Sequence, residues 1–374
     1  MTCSAAGNSY EAVSCPAGCD ASEGGCHRVH ILPRYMPDIC NSPATTSALT
    51  ISSSGTFDPN LDTNCTGGVI DQTGGPGICV VHDGTISITA NAKLTVSNKP
   101  GEGGRAIAFV ADDDLTIAGV LDVSAHGSTS GPGGGFTMSG GAPTMTNGGG
   151  GAAAKTSGGA GGTASADGGA VNGGAAGMDP ALLMGLLGGA SSLHLDDGSG
   201  TFFGGGGGGG AAILVSCRGN VAISGTLNAG GGGGAEGAST LVRNGWGGGA
   251  GGNIVLQGMN VIVHGDVFSN GGGGGGGEQP NGQPGLAGAD GSLSDTIGAS
   301  GGAPQNGEGR GGTGGFLISD PGSGGKPTNA SAHPGGGGGS MGFLQSYTPT
   351  GVIPTLSPAH ASPGFQVNGT VPTR

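Results

Sequence analysis

Aromatic side chains make up only 3% of the 374 residues, with a single Trp. A ligand surface built from several stacked rings is therefore excluded. Charge is also scarce, at 9%, and cations more so: 11 Lys plus Arg stand against 24 Asp plus Glu, for a net charge of −13. No basic cluster occurs, which excludes nucleic acid as a partner and attraction to an anionic membrane surface. No apolar run approaches the roughly 18 residues of a membrane-crossing helix, so no transmembrane segment is expected. Met1-Thr2-Cys3 opens the chain without the apolar stretch of a signal peptide. A mature form with an added start Met is expected, with lipid anchoring allowed in a precursor.

Catalytic signatures are missing as well. The eight histidines are scattered, with no HExxH pairing and no GxSxG elbow. The Gly-x-Gly strings reflect composition, because none joins a strand to a helix with an acidic residue beyond. Asp112, Asp113 and Asp114 form one acidic cluster, and Asp196 and Asp197 a second. A polysaccharide-acting β-helix enzyme would repeat such a cluster at matching turns. Here Cys217-Arg218-Gly219 and Gly258-Met259 stand in those places, so Asp112 to Asp114 read as a solvated turn. The protein is read as no enzyme, and no cofactor or metal is expected.

What the chain has is glycine: 95 residues, with 21 prolines. That content without a period suggests disorder, since ordering glycine costs the most backbone entropy. Yet the segments between the runs are rich in Val, Ile and Leu. The pure runs fall at 148–151, 204–210, 230–234, 271–277 and 335–339. One regular state open to them is the three-residue-per-turn polyproline-II form, which has no internal hydrogen bonds. Runs packed side by side satisfy one another's N–H and C=O groups, as burial requires. Packed polyglycine-II helices are expected, against flexible linkers as the rival reading.

Three segments form an internal repeat, at 106–127, 212–231 and 253–272. Each carries apolar-x-apolar-x-Gly-x-apolar: Leu115, Ile117, Gly119, Leu121; Val221, Ile223, Gly225, Leu227; Val261, Val263, Gly265, Val267. The glycines mark a tight bend or a positive φ. GGFLISD, 314–320, reads as a partial fourth copy. Earlier, Ile78 to Val81 is an apolar run, and Ile86, Ile88, Leu94 and Val96 alternate as in half-buried strands. Repeated rungs separated by long excursions predict an all-β fold, a stacked β-solenoid. A β-sandwich is the competing architecture. One helix is expected inside the excursion 128–210, at MDPALLMGLLGG. There Asp179 is the N-cap, Gly188-Gly189 the stop, and Leu182, Leu183, Leu186 and Leu187 the packing face.

Residues 1–45 read as a small disulfide-stapled module with Cys3, Cys15, Cys19, Cys26 and Cys40. Residues 46–374 form the Gly-rich body, ending in a Pro-spaced extended tail at 345–374. Cys65, Cys79 and Cys217 complete an even count of eight. Sequence leaves most pairings open; proximity suggests Cys65 with Cys79. A zinc site from Cys15, Cys19, Cys26, His27 and His30 is the rival, though its spacing fits no common finger. An oxidising, extracellular or cell-surface location follows.

CPAGCDASEGGC, then a linker, then the strand-rich stretch ICVVHDG to LDVSA and long glycine tracts, resembles a group of secreted or surface proteins of predatory soil bacteria. In these a Cys module precedes a Gly-rich, β-rich body. The resemblance spans nearly the whole chain, but its motifs are compositional, so it implies location rather than activity. The glycine tracts alone also resemble those of phage tail-tip adhesins, in which polyglycine helices sandwich together and display variable loops.

The strongest partner-binding candidate is TLVRNGW, which sets Arg243, Asn244 and Trp246 between two glycine tracts. Arg and Trp are favoured interface anchors, and an indole can stack on a sugar. Alternatively Trp246 covers the edge of the glycine layer. The expected function is a structural or adhesive surface protein that self-associates into a fibre or coat, as a homo-oligomer or filament. A glycan-binding adhesin displaying loops is the alternative. Thiol titration of the unreduced native protein is expected to find no reactive group. Two or more reactive thiols would contradict a stapled head, and one zinc per chain would favour the metal.

Overall fold

The computed structural model describes residues 29–42, 48–97, 104–135, 147–163, 185–192, 202–237, 243–328 and 332–374. Short pieces at 2–4, 12–14, 19–20, 25–26, 140–141, 143–144 and 195–196 are also described. Among these described residues regular structure is strand, apart from two short 3-10 turns, Ile39–Asn41 and Asp62–Asn64.

Three sheets of seven, six and six strands organise the chain. It visits them in the same order on each turn. The second turn is Ile78–Asp83, Ile86–Ile88 and Lys93–Val96; the third is Ala106–Ala111, Leu115–Ile117 and Val120–Asp122. The fourth is Ala211–Ser216, Asn220–Ile223 and Thr226–Asn228; the fifth is Asn253–Gln257, Asn260–Val263 and Asp266–Phe268. A partial first turn, Leu49–Ile51 and Gly55–Phe57, opens the stack. The sixth turn, Phe343–Pro349, Thr355–Leu356 and Ala361–Ser362, and a last strand, Val367–Val371, complete it. All ladders between turns are parallel; the edge strand Gly68–Ile70 alone runs antiparallel to its neighbour, Ile78–Asp83.

The register places like side chains above one another. Ile51, Ile88, Ile117, Ile223, Val263 and Leu356 form one column of the second sheet. Leu94, Leu121, Leu227, Val267 and Ala361 form one of the third. With Val81, Phe109, Leu214 and Leu256 of the first sheet, these columns share one core. Second-sheet strands alternate between buried and part-exposed residues, as Asn260–Val263 does. First-sheet strands are buried on both faces, hence their unbroken apolar text. Residues 29–42 cover the outer face: Ile31 and Cys40 pack there with Ile78, Val110 and Ile213. Cys40 is bonded to Cys217 at the end of the fourth-turn strand, and Cys65 to Cys79. The side chains of Cys3, Cys15, Cys19 and Cys26 lie outside the described residues.

The repeat glycines are needed for a different reason from positive φ, which none of Gly119, Gly225 and Gly265 adopts. They stack. A Cβ on Gly225 would meet the carbonyl oxygen of Gly119, and one on Gly265 that of Gly225. Four other expectations change. GGFLISD, 314–320, is a tight turn in which Phe316 and Ser319 bond each other and Leu317 takes φ 50°; it joins no sheet. Asp112 is buried and accepts from His82 Nε2 at 3.0 Å, so of the cluster only Asp113 and Asp114 reach solvent. The residues 345–374, read as a tail, supply the sixth turn and last strand, with Tyr347 and Val371 buried. Of the expected helix, 178–184 lies outside the described residues, and 185–189 is not helical. Instead Gly189 donates to Gly209 at 2.8 Å, within the glycine layer.

That layer grows from one corner. After the third-sheet strands of turns three, four and five, the chain leaves through 123–210, 229–252 and 269–342, then re-enters the first sheet. The glycine runs are buried and bond one another in steps of three residues. Gly231, Gly234 and Gly237 donate to Asn270, Gly273 and Gly276. Gly245, Gly248 and Gly251 donate to Pro334, Gly337 and Ser340. Trp246, Gly249 and Gly252 donate to Ala235, Gly232 and Ala229, in the antiparallel sense. The stretch 245–252 also donates to Ala190, and it accepts from 206–209, 149–152 and 272–275. It is thus enclosed by six neighbours, three taking its donors and three its acceptors. The carbonyls lie where Cβ atoms would stand: one on Gly339 would meet Gly249 O.

Gly225→Ala is expected to lower unfolding free energy by about 1–3 kcal/mol or more, from backbone overpacking. Gly55→Ala, with open space around it, is expected to be neutral or stabilising by up to about 1 kcal/mol. Denaturant titration distinguishes them; equal effects would contradict the stacking role.

Candidate functional site: the distal end of the glycine layer

The outgoing run 229–237 and the returning run 245–252 have Gly237 and Gly245 at their ends away from the sheets. The connections 279–284 and 304–308, with Thr328 and His333, lie at the same end, as backbone bonds show. Glu278 N donates to Arg243 O at 2.7 Å, His333 N to Glu278 O at 3.1 Å and Gly309 N to His333 O at 2.8 Å. Polar residues flank the runs there: Asn147 before 148–151, Asn244 before Gly245, Glu278 after 271–277, Glu308 before Gly309 and His333-Pro334 before 335–339.

These residues tie the run ends together. Asn244 is 1% exposed, and its Nδ2 donates to Asn147 O at 3.0 Å and to Thr144 O. Its Oδ1 faces His333 Nδ1 at 3.0 Å. With the amide nitrogen committed to carbonyls, Oδ1 is the acceptor, which puts the proton of neutral His333 on Nδ1. The Glu308 carboxylate is buried and accepts the backbone N–H of Gln305 at 2.6 Å and of Asn306 at 2.7 Å. Gln279 Nε2 donates to Pro284 O at 3.1 Å, and Asn306 Nδ2 donates to Gln279 Oε1. Glu278 is 2% exposed and has Arg243 Nε 3.7 Å from its Oε2. Burial pushes the His333 pKa down; Arg243 adds to this and Glu278 opposes it.

Of the three residues singled out from sequence, Arg243 and Asn244 share this network. Arg243 keeps its side chain 60% exposed, while Asn244 is enclosed. Trp246 is 3% exposed and turns away, onto Gly204. Gly204 takes φ 106°, and any Cβ there would fall within the indole. The ring therefore covers the glycine layer instead of offering a face to a sugar. Glu278, Glu308, His333, Gln279 and Asn306 were not singled out from sequence, although their place beside glycine runs was a readable signal. Around them Thr144, Asn281, Gln283, Gln305, Asn306 and Thr328 are exposed. The arrangement offers amide and hydroxyl groups, with one guanidinium, on an ordered base. Among the described residues no group of three or more His, Cys, Asp or Glu is placed to hold a metal ion. No helix among them is long and apolar enough to cross a membrane. Compared with protein-family models, curated proteins and solved structures, the chain matches none.

Burial disfavours the His333 imidazolium, so the native chain takes up this proton less readily than the unfolded one. The group therefore contributes stability at neutral pH that is lost as pH falls. His333→Gln is expected to lose less stability than wild type between about pH 7 and 5; equal losses would contradict the assignment. Emission of the lone Trp246 is expected to resist acrylamide quenching in the native state. Ready quenching would mean an open indole.

Proposed function

We propose that the protein is an extracellular adhesive protein that displays loops for contact with surface glycans. In this reading the three sheets are the wall of a β-solenoid, and the glycine runs are a sandwich of polyglycine-II helices growing from it. The three-residue step of the bonds between runs supports the helix assignment. The unchanging order of sheet visits supports the solenoid. The observation that carries the functional reading is the gathering of described run ends and connections, with exposed amides and Arg243, at one end of the layer. Polyol hydroxyls suit such groups, and the buried carboxylates beneath hold the backbone that presents them. Disulfides on the body are compatible with an extracellular location. No catalytic role is proposed for any residue.

A second reading, self-association into a fibre or coat, is favoured by the strand edges of the first turn, which pair with no described strand on their outer side. The last turn weighs against open-ended growth. Its edge strands Thr355–Leu356 and Ala361–Ser362 are two residues long and are flanked by Pro354, Pro358 and Pro363. Short strands and prolines are devices that blunt sheet edges.

Glycan-array and whole-cell binding by the purified protein tests the display reading. Asn281→Ala combined with Gln283→Ala, which leaves the Arg243–Glu278 pair intact, is expected to abolish binding with little change in melting temperature. Binding unaffected by this variant, or no binding by wild type, would contradict it.

A further inference from the structure

The two ends of the stack differ. At the last turn the second- and third-sheet edges are shortened and bounded by prolines, as described above, while the first sheet ends in the five-residue strand Val367–Val371. At the first turn, Leu49–Ile51 and Gly55–Phe57 end the second and third sheets. Leu49 N donates to Thr85 O at 2.8 Å, and Ile51 O accepts from Thr89 N at 3.0 Å. Those groups face the second turn. Thr50 lies between them with its N–H and C=O directed outward, and it is exposed, as are 52–56. Leu49, Ile51 and Phe57 touch the core but are only partly buried, so the core is left incompletely covered at this end.

Residues 48–57 carry no charge in a protein of net charge −13. Copies repel one another elsewhere, and this edge is where repulsion is least. The described strands of the N-terminal module do not supply the missing partner, since they pair with one another. The module also joins the body beside the last strand, where His30 N donates to Arg374 O at 3.1 Å.

We propose that two copies of this chain pair edge to edge through the first turn, about a twofold axis at Thr50. The pairing is independent of the display reading. Thr50 of each copy exchanges both backbone bonds with Thr50 of the other, the closely bonded pair of an antiparallel ladder. Leu49 then stands opposite the second copy's Ile51, and the half-covered core becomes continuous between copies. The axis exchanges the other two faces of the body. Edge Gly55–Phe57 therefore meets the second copy's Gly68–Ile70, where Val69 is 37% exposed. An isologous contact of this kind closes on itself. The product is a dimer, with its loop-bearing layers carried outward from a central joint.

Light scattering of the full disulfide-bonded chain is expected to give twice the monomer mass of 34.8 kDa. Thr50→Lys sets like charges directly across the axis, and this variant is expected to give monomer with unchanged circular dichroism. Thr56→Lys, which faces the second copy's Gly68–Ile70, adds a buried charge at the flanking edge in a double variant expected to behave the same. A wild type that stays monomeric at high concentration overturns the proposal. So does a dimer that survives the double substitution, and so do open fibres. Should the variant fail to fold, hydrogen exchange of wild type decides. Protection of the Thr50 amide is expected to rise with protein concentration, and no rise overturns the joint. Glycan binding is read separately on the same samples, so failure of either proposal leaves the other distinguishable.

Discussion

The structure depends on backbone groups meeting backbone groups at distances that leave no room for a Cβ. In most folds such contact is confined to sheets, where side chains stand clear of the ladder. Here it extends in three dimensions through the glycine runs. The stretch 245–252 is bonded to six neighbours. Each extended glycine residue offers one donor and one acceptor, and enclosure by other runs is what satisfies both when water is excluded. The entropy cost of ordering glycine is large. It is offset because the runs are held at one end by strands that are ordered for other reasons. Ala211–Ser216 follows directly from the run 204–210, and Phe343–Pro349 follows the run 335–339 after three residues, so the register of the sheets fixes the register of the layer.

The two parts use different physics. The three-sheet body is held by columns of Ile, Leu and Val facing one core, and by Cys40–Cys217 and Cys65–Cys79. The layer has almost no side chains to bury, and its larger ones work at its margins. Trp246 closes over Gly204, while Asn244, Glu278, Glu308 and His333 join run ends at the distal face. Buried carboxylates are tolerable there only because they are partnered: Glu308 by two backbone N–H groups and Glu278 by Arg243.

Much of the body was legible in sequence because its signals are local. The period-two patterns at 86–96 and the three aligned copies with Gly119, Gly225 and Gly265 read directly as strands in repeat. The reading of GGFLISD as a further copy failed because apolar text alone does not place a strand; a Gly-Gly before it and Asp-Pro after it favour a turn. The sixth turn was missed because its strands are short and Pro-spaced, and their partners are distant in sequence. The glycine runs announced themselves, but the identity of their neighbours is a purely tertiary fact. The partners of 245–252 range from 149 to 343. At the distal end, Arg243 and Asn244 were visible by residue type, whereas the partners Glu278 and His333 come from other runs. Trp246 was open to two readings in sequence, a binding anchor or a cover for the glycine layer; its burial on Gly204 follows from a positive φ that sequence does not display.

The central claim is that the glycine runs are an ordered, mutually bonded layer and not linkers. Backbone hydrogen exchange over 245–252, 271–277 and 335–339 tests it most directly. The account predicts protection comparable to that of the strands Ala211–Ser216 and Asn253–Gln257, lost with them in one cooperative step. Exchange of the glycine amides at the rate of an unstructured chain, while the strands stay protected, would contradict it.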